Sequence, residues 1–324
     1  MRGERVQGGS QAAVQRHAQS VVERLRDRWR QSLPVAQLLA ALDAYADGKR
    51  CEDCAPLAAC LSSSDAATDL IAPLIGALCA GLRRHPLAHV PLRHQFSRGV
   101  AVLELARSGR ASLSLVAYDG AALAGAEAAS SIAFADEERR ELCLAGAAQC
   151  RVVRLVGERH CGAQLAVEPV HLAPDVALAL GPDAARTIDR IAGRVVLLRL
   201  VRHAEQPGPV REFALADGRL LHQASGDRRE SREEMTLALL GRMGRRDAAA
   251  PMAKLALGHG SAHLRWQALR NALALDSEVG FAALERLAVA ADDALAVPAC
   301  DLRSRLLVQH PELAVQPERV PCPA

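Results

Sequence analysis

Aromatic residues are nearly absent from this chain: two tryptophans, two tyrosines and four phenylalanines among 324 residues. A core of ordinary size must therefore be filled by Ala, Leu and Val, whose small side chains let helices and strands approach closely. Lysine is scarcer still. Lys49 and Lys254 are the only lysines among the 40 basic residues, so arginine supplies the other 38. Such Arg-rich, Ala-rich usage points to a GC-rich bacterial genome. No charge of one sign dominates, because 40 basic residues face 37 acidic ones. The two signs also alternate locally, as in Glu23-Arg24, Asp27-Arg28 and Asp227–Glu234. That balance argues against nucleic acid as a partner, which would call for a basic face.

Several motifs are missing. The chain has no G-x-x-x-x-G-K-[ST] loop, no G-x-G-x-x-G after a strand, no G-x-S-x-G elbow and no H-E-x-x-H helix. ATP hydrolysis, dinucleotide redox chemistry, serine hydrolysis and zincin proteolysis thus lack their usual supports. The polar opening MRGERVQGGS does not read as a signal peptide. The longest apolar stretch, around Leu70–Leu82, is shorter than a membrane span and has helical period. Nine cysteines form no disulfide-like framework. Together these features imply a cytoplasmic, reducing setting and no membrane partner.

What the chain does contain is half apolar by residue count, enough for an ordered core. Three segments follow from its periodicity. Residues 1–95 read as helical: apolar positions at Val14, Val21, Val22, Leu25 and Trp29 mark a helix over 12–31. Pro34 opens a second helix over 35–46, closed by Gly48, and Asp65 begins a third. His85–His94, with two prolines, reads as a connector. From residue 96 to 226 the period becomes two. About ten short runs separated by Gly, Pro and Asp turns predict an antiparallel sandwich or barrel, with CRVVRLV and VVLLRLV apolar enough to lie centrally. Residues 227–324 return to helical period. Ser231 and Glu234 have the spacing of a capping box, predicting a helix over 232–242. Pro311–Ala324, with four prolines, reads as a loose tail.

The C-terminal segment nearly repeats itself. Residues 248–276 and 278–307 align so that Leu255-Ala256 matches Leu287-Ala288, Leu264 matches Leu295 and Ala268 matches Ala299. The unit of about thirty residues holds two helices and a polar turn. At LRWQALRNAL it resembles a HEAT-type repeat. The resemblance implies a protein-binding or structural platform, with Arg265, Trp266, Arg270 and Arg303 as partner-binding candidates. Arg and Trp are enriched at binding hot spots. The competing reading makes Trp266 a core plug and pairs Arg265 with Asp292 or Asp293.

The β segment, through its strand density and the run Val170-His171-Leu172-Ala173-Pro174, looks like a cupin-type barrel. The resemblance implies a metal (Fe, Mn, Ni or Zn) held by His160, Glu168, His171, His203 and His222, and an oxygenase or isomerase activity. The family's His-x-His element is missing, and those histidines also fit strand ends and turns. Cys51-Glu52-Asp53-Cys54 with Cys60 has part of the spacing of a zinc site but lacks a clear fourth ligand. Free thiols are the expectation there. The sequence thus predicts an α+β chain: a central antiparallel β-sandwich or cupin-like barrel, an N-terminal helical segment and C-terminal HEAT-like hairpins. Its leading function is a non-catalytic accessory or regulatory protein without cofactor, binding a protein partner and a possible small ligand.

Overall fold

The structure, a computed structural model, describes residues 4–125, 128–159 and 162–314. Two compact units divide the chain, one of Met1–Pro207 with Arg211–His222, the other of Gly208–Val210 with Gln223–Ala324. The class is α+β, with an antiparallel sheet and helices.

The first unit opens with helices α1 (Glu4–Gln31), α2 (Leu33–Ala46), α3 (Ala55–Cys60) and α4 (Ser64–Arg84). Helix α4 is longer than its apolar run because Ser63 caps it, accepting from the amide of Ala66. At 21 residues it is long and apolar enough to cross a membrane by length and composition, which the shorter run did not predict. Here Ile71, Leu74 and Leu78 are buried in a cluster shared with Leu38, Leu42 and Leu57. The same cluster takes in Leu105, Leu113, Leu142, Leu198 and Leu200 from the sheet, so helices and strands share one core.

Strands β1 (His94–Ser97), β2 (Val100–Ser108), β3 (Ala111–Asp119), β4 (Ser131–Phe134), β5 (Glu137–Arg159), β6 (Gly162–Leu172), β7 (Ala177–Leu180), β8 (Ala184–His203), β9 (Val210–Ala214) and β10 (Leu220–Ala224) follow. The larger sheet runs β1-β2-β3-β8-β5-β6, with β7 also on β5; the smaller runs β10-β9-β4. All the described strand pairings are antiparallel. The run VVLLRLV lies in β8, between β3 and β5, and is buried on both sides. Leu198 and Leu200 meet the helices, while Val195 and Leu197 join a separate cluster with Cys143 and Cys150.

Two expectations are corrected here. The runs 141–145 and 151–156 are not separate strands but parts of the 23-residue β5, and the run 194–202 is the second half of the 20-residue β8. Gly146 and Gly193 bend these continuous strands, with positive φ of 84° and 71°. The consequence is large. At ~3.3 Å per residue a straight strand would hold Arg186 and Arg199 about 40 Å apart, yet both guanidinium groups bond Glu141. The β5–β8 ribbon therefore folds back on itself.

The second unit is helical: α5 (Arg228–Arg242), α6 (Ala249–Ala256), α7 (Ala262–Leu275), α8 (Ser277–Ala288) and α9 (Ala296–Gln309). Helix α5 begins earlier than the capping box predicts. Asp227 accepts from the amides of Arg229 and Glu230, and the Ser231 amide is already bonded to the Asp227 carbonyl. Glu234, freed from that role, accepts from the Ser225 amide instead. Helices α6 to α9 follow one another with short connections. Leu264, Leu287, Leu295, Ala268 and Ala299 are all buried in one cluster. Helices α7 and α8 meet tightly: a Cβ on Gly280 would lie 2.4 Å from Leu273 Cα. Of the proline-rich tail only Pro311–Ala314 is described, as a short 3-10 turn; the rest lies outside the described residues.

Ala268 is fully buried, so Ala268→Leu is expected to overpack α7 against its neighbours at about 1–3 kcal/mol. A melting temperature lower by several degrees would show it. An unchanged value would mean that the matched positions do not set the packing.

Candidate functional site

The sequence candidates for a metal are dispersed. Glu168 and His171 lie exposed on β6, opposite Val152 and Gln149 of β5. His203, at the end of β8, lies with Nδ1 3.2 Å from Glu137 Oε2. His222 is exposed on β10. His160 lies outside the described residues. Among the described residues no group of three or more His, Cys, Asp or Glu is placed to hold a metal ion. Cys51, Cys54 and Cys60 are buried in the core beneath the sheet-facing helices. Burial pushes the Cys51 thiol up and the Cys60 thiol up to about 11, which opposes the thiolate that a metal or a redox reaction needs.

The second unit brings two of the four partner-binding candidates together. Trp266 and Arg270, one turn apart on α7, line an apolar groove of about 670 Å³ with Phe281, Leu302 and Leu306. Trp266 is half-buried against the core. Arg270 is exposed and makes no ion pair among the described residues; Arg305, His310 and Glu312 also border the groove, with His310 Nδ1 3.1 Å from Glu312 Oε1. Arg265 is elsewhere: it grips Asp293 with both terminal nitrogens, at 3.2 and 2.5 Å, and donates to the Ala256 carbonyl at 2.9 Å. The pairing with an aspartate across the turn holds, and it is Asp293. Arg303 lies 3.4 Å from Glu285, outside the groove.

The arrangement that the sequence reading missed is in the first unit. Glu141 on β5 is 1% exposed and has a guanidinium on each side: Arg186 Nε at 2.7 Å and Arg199 Nε at 2.8 Å. Arg199 is its cross-strand neighbour; Arg186 arrives from the far half of the folded ribbon. The Tyr118 hydroxyl accepts from both arginines, at 3.0 Å from Arg199 and 3.5 Å from Arg186. Burial alone would raise the Glu141 carboxyl, but the charges of Arg186 and Arg199 outweigh it and hold the group below the usual carboxylate range. For Arg186 burial opposes the charge, and Glu141 outweighs that in turn. Two signals for this network were present. Arg199 interrupts a run of apolar residues in a central strand, and Tyr118 is one of only two tyrosines. A buried arginine demands a carboxylate, but only the folded ribbon shows which one.

No protein-family model matches the chain, and no curated protein matches it. Solved structures offer partial likenesses. CapF, the capsular polysaccharide assembling protein of Staphylococcus aureus, is 11% identical over 48% of this chain and 36% of its own, with a TM-score of 0.28. HutD from Pseudomonas fluorescens SBW25 is 19% identical over 36% of this chain and 58% of its own, with a TM-score of 0.25. A cupin superfamily protein from Desulfitobacterium hafniense DCB-2 is 20% identical over 34% of this chain and 83% of its own, with a TM-score of 0.23. The chain thus spans well under two thirds of the length of CapF and HutD. Scores this low assign neither fold family nor activity.

Proposed function

We propose that this chain is a non-catalytic accessory or regulatory protein of the cytoplasm whose helical unit docks a protein partner. One observation carries the reading: the groove beside Trp266 has an apolar floor, and on its border, among the described residues, Arg270 and Arg305 outnumber the one acid, Glu312, which is paired with His310, while Arg270 has no ion-pair partner. An aromatic anchor beside a free arginine is the composition of a binding hot spot. The border selects for charge, so the partner is an acidic segment that places apolar side chains in the groove. The two helix–turn–helix pairs, HEAT-like in their repeat, supply a rigid support. Arg265, consumed by Asp293, holds the turn rather than the partner.

The test uses the full chain and a helical peptide with leucines on one face and glutamates beside them. Binding is expected, and Arg270→Glu should weaken it by about tenfold or more, since reversing a rim charge adds repulsion to the lost attraction. The same peptide with lysines for glutamates should not bind. Equal affinity for Arg270→Glu, or for the lysine peptide, would refute the docking surface.

The rival reading, a cupin-like oxygenase or isomerase with Fe, Mn, Ni or Zn, requires convergent ligands. The described members of its set, Glu168, His171, His203 and His222, sit on separate strand positions, three of them exposed and the fourth, His203, at a strand end. Metal analysis of the purified protein decides it: a stoichiometric metal lost in His171→Ala would favour this rival.

A further inference from the structure

The first unit holds a cleft of about 680 Å³ beside the buried Glu141, lined by Arg139, Arg186, Arg190 and Arg199 and, on its apolar side, by Ile188 and Ile191. Among the described residues its charge is not balanced. Arg186 and Arg199 share a single carboxylate, Glu141. Arg139 is paired with Glu137 at 2.5 Å. Asp189, the one acid in the wall among the described residues, is already gripped by Arg151 through three hydrogen bonds of 2.8–3.0 Å. Arg190 has no ion pair among the described residues and is exposed. Around the cleft, among the described residues, the five guanidinium groups of Arg139, Arg151, Arg186, Arg190 and Arg199 thus face the three carboxylates of Glu137, Glu141 and Asp189.

The donors are also fixed in place. Arg199 spends Nε on Glu141 and one terminal nitrogen on the Tyr118 hydroxyl, and its other terminal nitrogen makes no hydrogen bond among the described residues. Its side chain is 21% exposed and that of Arg186 only 3%. Rigid guanidinium forks, held from behind by a buried carboxylate, present their remaining N–H groups without loss of side-chain freedom on binding. Excess positive charge beside aliphatic walls suits one kind of ligand.

We propose that this cleft binds a small organic oxyanion, a carboxylate or phosphate head on a short apolar body, with Arg190 and Arg199 holding the head and Ile188 and Ile191 packing the body. The volume fits one such molecule. Glu141 and Tyr118 are positioning residues: they set the two arginines and leave the ligand contact to them. The site is independent of the groove in the helical unit, and neither proposal needs the other.

Isothermal titration of the full chain tests it with hexanoate, hexyl phosphate, inorganic phosphate and hexylammonium. At least one of the two hexyl anions should bind, more weakly as salt is raised; hexylammonium should not. Whichever hexyl anion binds more tightly identifies the head group. Arg190→Ala removes an exposed, unpaired side chain, leaves the buried network intact and should weaken that binding about tenfold, the scale of one charge-assisted contact. Arg199→Lys keeps the charge but loses the fork, and should weaken it comparably while the protein stays folded by circular dichroism. The proposal is overturned if neither hexyl anion binds, if hexylammonium binds as well, if inorganic phosphate binds as tightly as the hexyl anions, or if Arg190→Ala binds as the parent does.

Discussion

Replacing Glu141 with Ala is expected to cost about 3–5 kcal/mol of folding stability, because it leaves Arg186 and Arg199 inside the unit without their shared counter-charge. The substitution does more than delete two hydrogen bonds. Arg186 is 3% exposed at its side chain, so the guanidinium cannot turn to water for compensation without opening the ribbon. A loss of this size is a large part of the whole margin of a typical domain, so partial unfolding at room temperature is the expected phenotype. Glu141→Gln separates shape from charge: it keeps the volume and an acceptor oxygen but not the counter-charge. It should lie between the parent and Glu141→Ala in denaturant midpoint. If Glu141→Ala unfolds at the parent's midpoint, the network contributes nothing to stability.

The same network sets an acid limit. Glu141 is held below its usual range, so its contribution is fully present above the carboxylate's unfolded pKa near ~4.3 and is lost as pH falls through the native value. Glu137 behaves alike. Burial raises its carboxyl, but the hydrogen bonds and charges of His203 and Arg139 outweigh that and lower it to about 2. The first unit should therefore lose stability progressively as pH falls from ~4 toward ~2, while Glu141→Gln should show a smaller drop over the same window.

Much of the architecture was legible from residue period alone. Helices at both ends and the antiparallel middle followed from where apolar residues recur at 3.6 or at two. Ala268 and Ala299, matched by alignment, are both buried. What escaped is non-local. Gly109, in the turn between β2 and β3, and Gly146 and Gly193, inside strands, all have positive φ, and as bare glycines in the sequence nothing separates them. Only strand pairing decides whether such a residue ends a strand or bends it. Arg186 and Arg199 are thirteen positions apart on one strand, so no helical or strand period connects them. The Asp227 cap escaped for a different reason. Asp227 and Ser231 are both good caps four residues apart, and the structure uses the earlier one because its carboxylate reaches two amides. In the groove, Trp266 and Arg270 were visible as residue types, but the facing Phe281, Leu302 and Leu306 come from later helices.

The bend at Gly146 gives the second large effect. With φ of 84°, residue 146 sits in the left-handed region, where any side chain costs of order 1–3 kcal/mol. Space is a separate constraint. A Cβ there would lie 1.8 Å from the carbonyl oxygen of Arg194 and 2.9 Å from its carbonyl carbon, both backbone atoms that no rotamer change can move. Gly146→Ala should therefore combine strain with displacement of β8, for a total of roughly 3 kcal/mol or more. Gly193→Ala isolates the first part. Its φ is 71°, but nothing lies within 4 Å of a built Cβ, so it should cost only the conformational strain. The displacement has a further consequence, because β8 carries both Arg186 and Arg199. Shifting its bend should pull one guanidinium from Glu141 and lower the affinity of the arginine-lined cleft for a hexyl anion, even under conditions where the variant remains folded. Denaturant midpoints ordered parent, Gly193→Ala, Gly146→Ala are the expected result. Equal midpoints for the two variants would mean that the close approach at Arg194 relaxes without cost, and that the folding-back of the ribbon does not depend on a glycine at 146.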